Sequence, residues 1–523
     1  MNFGPAHLLR LGRAGFIFAR EGVFGLIDPA VLPGPARLVL RLGRLIERPS
    51  RGTAETRLST ALTRLGPSYV KLGQFLATRP DVVGVALARD LERLQDQMPP
   101  FAQSEAERAV AASLDKPIGA VFASFGPPVA AASIAQVHRA TIAAAASTRP
   151  VAVKVLRPGI EQRFDADLRA FDYVARHAEN LSAEARRLRL VEVVDTLRRT
   201  VKVEMDFRLE AAALSEMAEN TNDDPDFRVP SVDWDRTSKE VLTLEWIEAT
   251  PLSDRARLLA KGFDLRRLAR ALIQTFLRHA LRDGFFHADM HPGNLFVDDA
   301  GRLIAVDFGI MGRLGAKERL FLAEILHGFI TRDYRRVSEV HFEAGYVPPQ
   351  HSVDEFAQAI RAIGEPIHSR TAEEISMARL LTLLFEVTGI FDMRTRPELL
   401  LLQKTMVVVE GVARSLDPKL DMWSTAEPVV GEWMARHLGP AGTLESASLG
   451  AAELGRFVGN VPGLLTRGAR VLDQLDAITR DGLVIVPQTI AEIDKAERRR
   501  GRFATAALWT IAALLLWLVA THW

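Results

Sequence analysis

The chain has 523 residues, 48% of them hydrophobic and 25% charged, with a formal net charge of +1. That is ample apolar material for about two to four domains or lobes, and so balanced a charge excludes nucleic-acid binding by overall electrostatics. Cysteine is absent, which removes disulfides, cysteine-ligated zinc, iron–sulfur clusters and thiol catalysis.

The opening stretch, MNFGPAHLLRLGRAGFIFAREG, has arginines inside its apolar runs and is not a signal peptide. Up to about residue 50, Leu8, Leu11, Phe16, Leu38, Leu42 and Leu45 recur among Arg10, Arg13, Arg20, Arg37, Arg41, Arg44 and Arg48. The spacing predicts amphipathic helices broken at Pro29, Pro33 and Pro35, suited to a membrane surface or to packing on the main domain. From residue 55 to 98 the pattern predicts a helix, a break at Gly66-Pro67, a helix through Val70 to Ala77, a break at Pro80 and a helix from Val82 to Leu94. Lys71-Leu72-Gly73-Gln74 gathers a cation, a small residue and an amide on one turn, and by composition alone is an ordinary helix surface.

Between residues 119 and 250 the pattern turns to strands. VHRATI reads as one strand, Ala143 to Pro150 as a loop, and VAVKVLRP (Val151 to Pro158) as the next strand, carrying Lys154. Val-Ala-Val-Lys matches the kinase strand whose lysine pairs with nucleotide phosphates. The loop ahead of such a strand is ordinarily glycine-rich so that backbone N–H groups reach phosphate. Here it is Ala130-Ala131-Ala132-Ser133. Alanine keeps its Cβ and resists positive φ, so this loop does not close as a glycine loop does. A kinase-like site also needs a helix carboxylate for the lysine. Reading residues 204 to 213 as one helix makes Glu204 and Glu210 both candidates, with Asp206 and Glu210 four apart on one face. VLTLEWIEATPL then enters a hinge, whose backbone near Glu245 to Ile247 should receive an adenine edge. A helix from Leu265 to Asp283 leads on to His287.

His287 to Gly309 reads HADMHPGNLFVDDAGRLIAVDFG. It holds H-x-D-x-x-x-x-N (His287, Asp289, Asn294) and D-F-G (Asp307, Phe308, Gly309). Between them LFV and LIAV form a hairpin turned at Asp298 to Gly301. Two carboxylates and an amide thereby converge, as in protein-kinase-like enzymes: Asp289 orients the acceptor or takes its proton, while Asn294 and Asp307 hold Mg²⁺ against phosphates. No G-x-G-x-x-G opens a βαβ unit and no oxygenase-type ligand cluster appears, so direct hydroxylation is excluded.

Residues 313 to 430 read as amphipathic helices. No A-P-E segment and no Ser, Thr or Tyr follows Asp307 closely, so a protein-substrate groove is not evident. Residues 431 to 502 add helices broken at Gly439-Pro440 and Pro462-Gly463. Phe503 to Thr521 carries no charge and as a helix would span about 28 Å, close to a bilayer core. Lys495 to Arg502 (KAERRRGR) precedes it, which puts the basic end in the cytoplasm.

Taken in order, L-G-P-S-Y-V-K-L-G-Q, L-x-x-L-Q-D-Q-M-P-P, the alanine loop, V-A-V-K, E-x-D, H-x-D-x-x-x-x-N and D-F-G resemble the UbiB family, the ABC1/ADCK atypical kinases of ubiquinone biosynthesis. The resemblance covers about residues 60 to 430. An alanine-rich loop is the rule in that family, although Ala135 stands where relatives commonly carry glycine. The resemblance implies an α+β, protein-kinase-like bilobal fold: residues 1–118 as an N-terminal helical extension, 119–250 as N-lobe, 251–430 as C-lobe, 431–502 as a helical region and 503–521 as a transmembrane helix. It implies that Lys71 and Gln74 of the extension meet Glu204 and Asp206 as a regulatory element over the site, and that Glu210 holds Lys154. ATP or ADP with Mg²⁺ is expected against Ala130, Ala131, Ala132, Ser133, Ile134, Val137, Lys154, Glu245, Ile247, Asn294 and Asp307, with Asp289 as the catalytic carboxylate. The implied activity is an ATPase or atypical kinase at the bacterial inner membrane, acting on or exposing polyprenylphenol precursors, with membrane lipids and ubiquinone-biosynthesis enzymes as partners and no nucleic acid. Its rivals are a small-molecule or lipid phosphotransferase and a nucleotide-gated lipid-binding module without phosphotransfer.

Overall fold

The computed structural model describes residues 5–26, 41–47, 57–77, 83, 87, 90–91, 94, 98–144, 147–181, 186–368, 387, 389–393 and 397–438. The chain divides into two compact units, Met1–Met434 and Ala435–Trp523. Residues 439–502 of the expected helical region 431–502, the expected segment 503–521, and most of the expected helix Val82 to Leu94 lie outside the described residues. Among the described residues no helix is long and apolar enough to cross a membrane.

Helix α1 (Pro5–Arg20) precedes α2 (Arg57–Leu65) and α3 (Pro67–Ala77), the last two separated by Gly66 at φ +104°. Helix α3 packs so closely that a Cβ on Gly73 would lie 2.3 Å from Leu94 Cδ1 and 2.7 Å from Leu62 Cδ1. A larger residue in the K-x-G-Q turn would thus need those two leucines to move.

Helix α4 (Gln103–Leu114) leads into β1 (Ser124–Ala131), β2 (Ala135–Ala144) and β3 (Ser147–Leu156). These strands, with β5 below, form an antiparallel sheet in the order β1-β2-β3-β5. Strand alternation sorts the two faces of β3. Val151, Val153 and Val155 are buried against Ala106 and Val110 of α4, while Lys154 points to the opposite face. The expected loop Ala143 to Pro150 is largely strand instead, with the ladder running out to the pair Ala144 and Ser147. Ala130 and Ala131 likewise end β1, opposite Val137 and Gln136, and only residues 132–134 make the turn.

Helices α5 (Ile160–Leu181), α6 (Leu190–Glu204) and α7 (Phe207–Asn220) come next. The chain breaks at Met205, and Asp206 caps α7 by accepting from the Arg208 N–H. The expected single helix over residues 204 to 213 is therefore two. Short strands β4 (Phe227–Arg228), β5 (Val241–Glu245) and β6 (Thr250–Pro251) carry the chain through the hinge.

Helices α8 (Arg255–Ala260) and α9 (Leu265–Arg278) open the second lobe. Helix α9 ends in a π-turn, His279–Asp283, closed by the Gly284 N–H onto His279 O. Strand β7 (Phe285–His287) starts one residue later and pairs with β10 (Met311–Arg313). Between them β8 (Leu295–Val297) and β9 (Leu303–Ala305) make the expected hairpin, within a second sheet ordered β4-β9-β8-β6. Asp298 Oδ1 accepts from the Ala300 and Arg302 N–H groups, and Gly301 takes φ +79°. Helices α10 (Ala316–Thr331), α11 (Tyr334–Glu343), α12 (Val353–His368), α13 (Pro397–Leu416) and α14 (Met422–Leu438) complete the description. One apolar core runs from α5 and α7 through α9 to α13 and α14, joining Phe164, Leu214, Phe276 and Val409.

Candidate active site

Each half of the site is delivered by a different element. Strand β3 offers Lys154 from its inner face, and α7 turns Glu210 toward it. Lys154 Nζ lies 2.9 and 3.0 Å from the Glu210 carboxylate oxygens and 3.2 Å from Asp307 Oδ1. Glu210 Oε1 also accepts from the Phe308 N–H at 3.2 Å, tying the D-F-G backbone to α7. Of the two carboxylates the sequence left open, Glu210 holds Lys154. Burial disfavours the ammonium, but Asp307 and Glu210 outweigh that cost and raise the Lys154 pKa. Burial pushes the Glu210 carboxyl up, and Lys154 works against that shift. Asp307 adopts φ +62°, a conformation uncommon outside glycine. Withdrawal from water opposes its charge, yet Lys154 overrides this and, with help from Lys71, brings its pKa down to about 2. Its side chain is half-exposed, so solvent screens part of that pull.

The opposite wall is the loop after β7. His287 is buried; its Nδ1 accepts from the Asp289 N–H at 3.0 Å and its Nε2 donates to Val306 O at 3.3 Å. Both ring nitrogens are satisfied by a neutral imidazole, and burial lowers its pKa accordingly. Asn294 donates its amide to Asp289 O at 3.1 Å and more weakly to Asp289 Oδ2 at 3.5 Å. That leaves the Asn294 amide oxygen as the atom on offer. Asp307 has Oδ1 committed to Lys154 and the Gly309 N–H, so Oδ2 is its remaining donor. Two hard oxygens of this kind suit Mg²⁺, which favours one or two protein ligands alongside phosphate and water. From α13, Thr405 Oγ1 reaches Ala288 O at 3.1 Å and steadies the loop.

The remaining expected positions divide. Lys71 pairs with Glu204 at 2.8 Å, joining α3 to the end of α6. Asp206 instead pairs with Arg208, at 2.7 and 2.9 Å. Gln74 lies one helical turn from Lys71 and is partly buried. The Glu245 carboxylate is bound by Arg228 at 3.1 and 3.2 Å, and Ile247 lies just past β5, outside any regular element. Ser133 and Ile134 are buried, Ile134 within the main core. Arg157, Gln136 and Thr405 were not singled out from sequence, because nothing in their local pattern separates them from ordinary strand or helix residues.

With this geometry in place, residues 93–341 match the ABC1 atypical kinase-like domain and residues 360–421 the UbiB helical domain. A probable protein kinase UbiB of Marinobacter nauticus is 41% identical over 446 residues, covering 84% of this chain and 81% of that protein. The chain belongs to the UbiB family. A second member, from Cellvibrio japonicus, is 39% identical over 472 residues, covering 89% of this chain and 85% of its own length. Among solved structures, the complex of Rv3197 with erythromycin from Mycobacterium tuberculosis superposes with a TM-score of 0.51 at 25% identity, covering 76% of this chain and 98% of that one. The kinase-like α+β fold of this chain agrees with the matched ABC1 domain and with that solved structure.

Proposed function

We propose that the chain is an ATP-dependent atypical kinase or ATPase that supports ubiquinone biosynthesis at the bacterial inner membrane, acting on or exposing polyprenylphenol precursors. One observation carries the reading: Lys154, fixed by Glu210, contacts Asp307 at 3.2 Å, and Asn294 is tied to Asp289 in the loop after β7. Lys154 would contact the α- and β-phosphates once nucleotide displaces its bond to Asp307. Asn294 and Asp307 would hold Mg²⁺, which would neutralise phosphate charge. Asp289, with its backbone fixed by His287, orients the attacking oxygen or takes its proton. Lys71 and Glu204 join the extension to the N-lobe beside this site and would limit access to it. The family names support the kinase class and the ubiquinone role. The C-terminal segment Phe503 to Thr521 would supply the anchor.

A lipid or small acceptor is favoured over a protein one by the path after D-F-G. The chain passes from Gly309 through β10 into α10 by residue 316, with no long segment on which a peptide could lie. The test tracks the γ-phosphate of labelled ATP with the protein in liposomes containing a polyprenylphenol extract. Free phosphate raised by lipid supports the ATPase form, and label on a lipid identifies a phosphotransferase. Absence of turnover with retained binding leaves the nucleotide as a switch for lipid binding. Asp307→Asn should remove the melting shift given by Mg-ATP; a shift equal to wild type would overturn the metal assignment.

A further inference from the structure

The β1–β2 turn, Ala132–Ile134, is held from outside. The segment Pro99–Gln103, which joins the extension to α4, crosses the β1–β2 hairpin. Phe101 is bonded on both sides of its backbone by one side chain: its N–H donates to Gln136 Oε1 at 3.0 Å, and its carbonyl accepts from Gln136 Nε2 at 3.3 Å. His138 fixes which way that amide lies. Its Nδ1–H donates to Gly126 O at 2.8 Å, so its Nε2 accepts from Gln136 Nε2 at 2.8 Å, leaving Oε1 for Phe101. The Phe125 ring stacks on His138 with centroids 4.5 Å apart, and Gln103 Nε2 donates to Phe125 O at 2.9 Å.

At the other end Arg157 performs the same service. Its Nη2 donates to Pro99 O at 3.1 Å and to Ala132 O at 3.2 Å, and its own N–H donates to Ile134 O at 2.7 Å. The guanidinium lies 5.2 Å from the centre of the Phe101 ring. Arg157 is three residues beyond Lys154, so one residue joins the crossing segment, the turn and the strand that bears the lysine.

We propose that Gln136 and Arg157 are positioning residues for the nucleotide phosphates, latching Pro99–Phe101 onto the Ala132–Ile134 turn so that it is already ordered when nucleotide arrives. The proposal rests on the nucleotide-binding reading above. An alanine turn cannot adapt through positive φ as a glycine loop does. Its contribution must then come from being rigid beforehand, which spares the ordering cost at binding.

The test uses the full chain with Arg157→Met, which keeps the stem and removes the donors, and Gln136→Met as an independent variant. Affinities for Mg-ATP and for adenosine are measured by calorimetry, and backbone hydrogen exchange over residues 130–136 is monitored without ligand. Both variants should bind Mg-ATP at least about fivefold more weakly, bind adenosine within about twofold of wild type, and exchange faster in the turn. Arg157→Lys, whose single ammonium can still reach a carbonyl, should fall between. Unchanged or tighter Mg-ATP binding, or equal weakening of adenosine, overturns the latch. If the wild type binds neither ligand, the nucleotide reading itself fails and the positioning role falls with it.

Discussion

Lys154 is one cation between two carboxylates, and its removal would be felt most by the partner with less water. Glu210 is nearly buried whereas Asp307 is half-exposed. Lys154→Met should therefore cost about 3–5 kcal/mol in urea unfolding, because it strands a buried charge, and Lys154→Met with Glu210→Leu should recover most of that loss. The single variant should also acquire a pH dependence. Without the ammonium, burial and the neighbouring Asp307 charge raise the Glu210 pKa. A raised folded pKa means the folded state holds the proton longer. The variant should thus be most stable below the unfolded value of about 4.3 and lose stability as pH rises through the folded one. An unfolding midpoint that does not move relative to wild type between about pH 5 and 8 would contradict this. At this scale the sequence was a good guide wherever a residue's chemistry could be matched to a fixed motif. Lys154 lies on a strand, and Asp289, Asn294 and Asp307 flank the β8–β9 hairpin, as the residue pattern predicts. The helix break at Asp206 was not legible, because its position before Phe207-Arg208 is a helix start, and the capping signal was absorbed into a longer helix pattern.

Elements are specified partly by contacts that no local pattern reveals. The alanine-rich stretch after Thr141 has little strand preference, and reads as loop until the ladder with Ser147 to Leu156 overrides it. Gly73 is a second case. Its need is set by Leu62 and Leu94 on neighbouring segments. Gly73→Ala gains some helix propensity, but the added methyl would force these leucines or α3 itself to shift, with an expected net loss of about 1–3 kcal/mol. Denaturant midpoints would check the magnitude. A midpoint at or above that of wild type would show that the two leucines re-pack freely. By contrast the β8–β9 hairpin was legible in full, because Asp298 and Gly301 supply the side-chain acceptor and the positive φ that such a turn demands.

Three buried histidines and one partly buried one lie in separate elements: His138 in the sheet, His279 at the π-turn, His287 at the end of β7 and, partly buried, His341 on α11. Withdrawal from water lowers the pKa of each, against the hydrogen bonds they make to Gly126 O, Asp224, Val306 O and Val337 O respectively. A depressed folded pKa means the unfolded chain takes up protons first, so stability should be full above about pH 6.5 and decline as pH falls below it. A melting temperature that stays level from about pH 7 to 5 would refute this. The π-turn has a bearing on how α9 and the loop after β7 are oriented within the second lobe. Each helical residue advances about 100° around the axis, so the extra residue taken up by a wide turn rotates the downstream chain by that angle while adding almost no length. Asp224, Arg319 and Trp433 grip this turn through Arg282, the Arg282 carbonyl and the Leu281 carbonyl. The turn acts as a phase shifter: it sets the angle between the stripe that seats α9 on α13 and the direction in which the chain leaves toward Asp289, and the three grips hold that angle fixed.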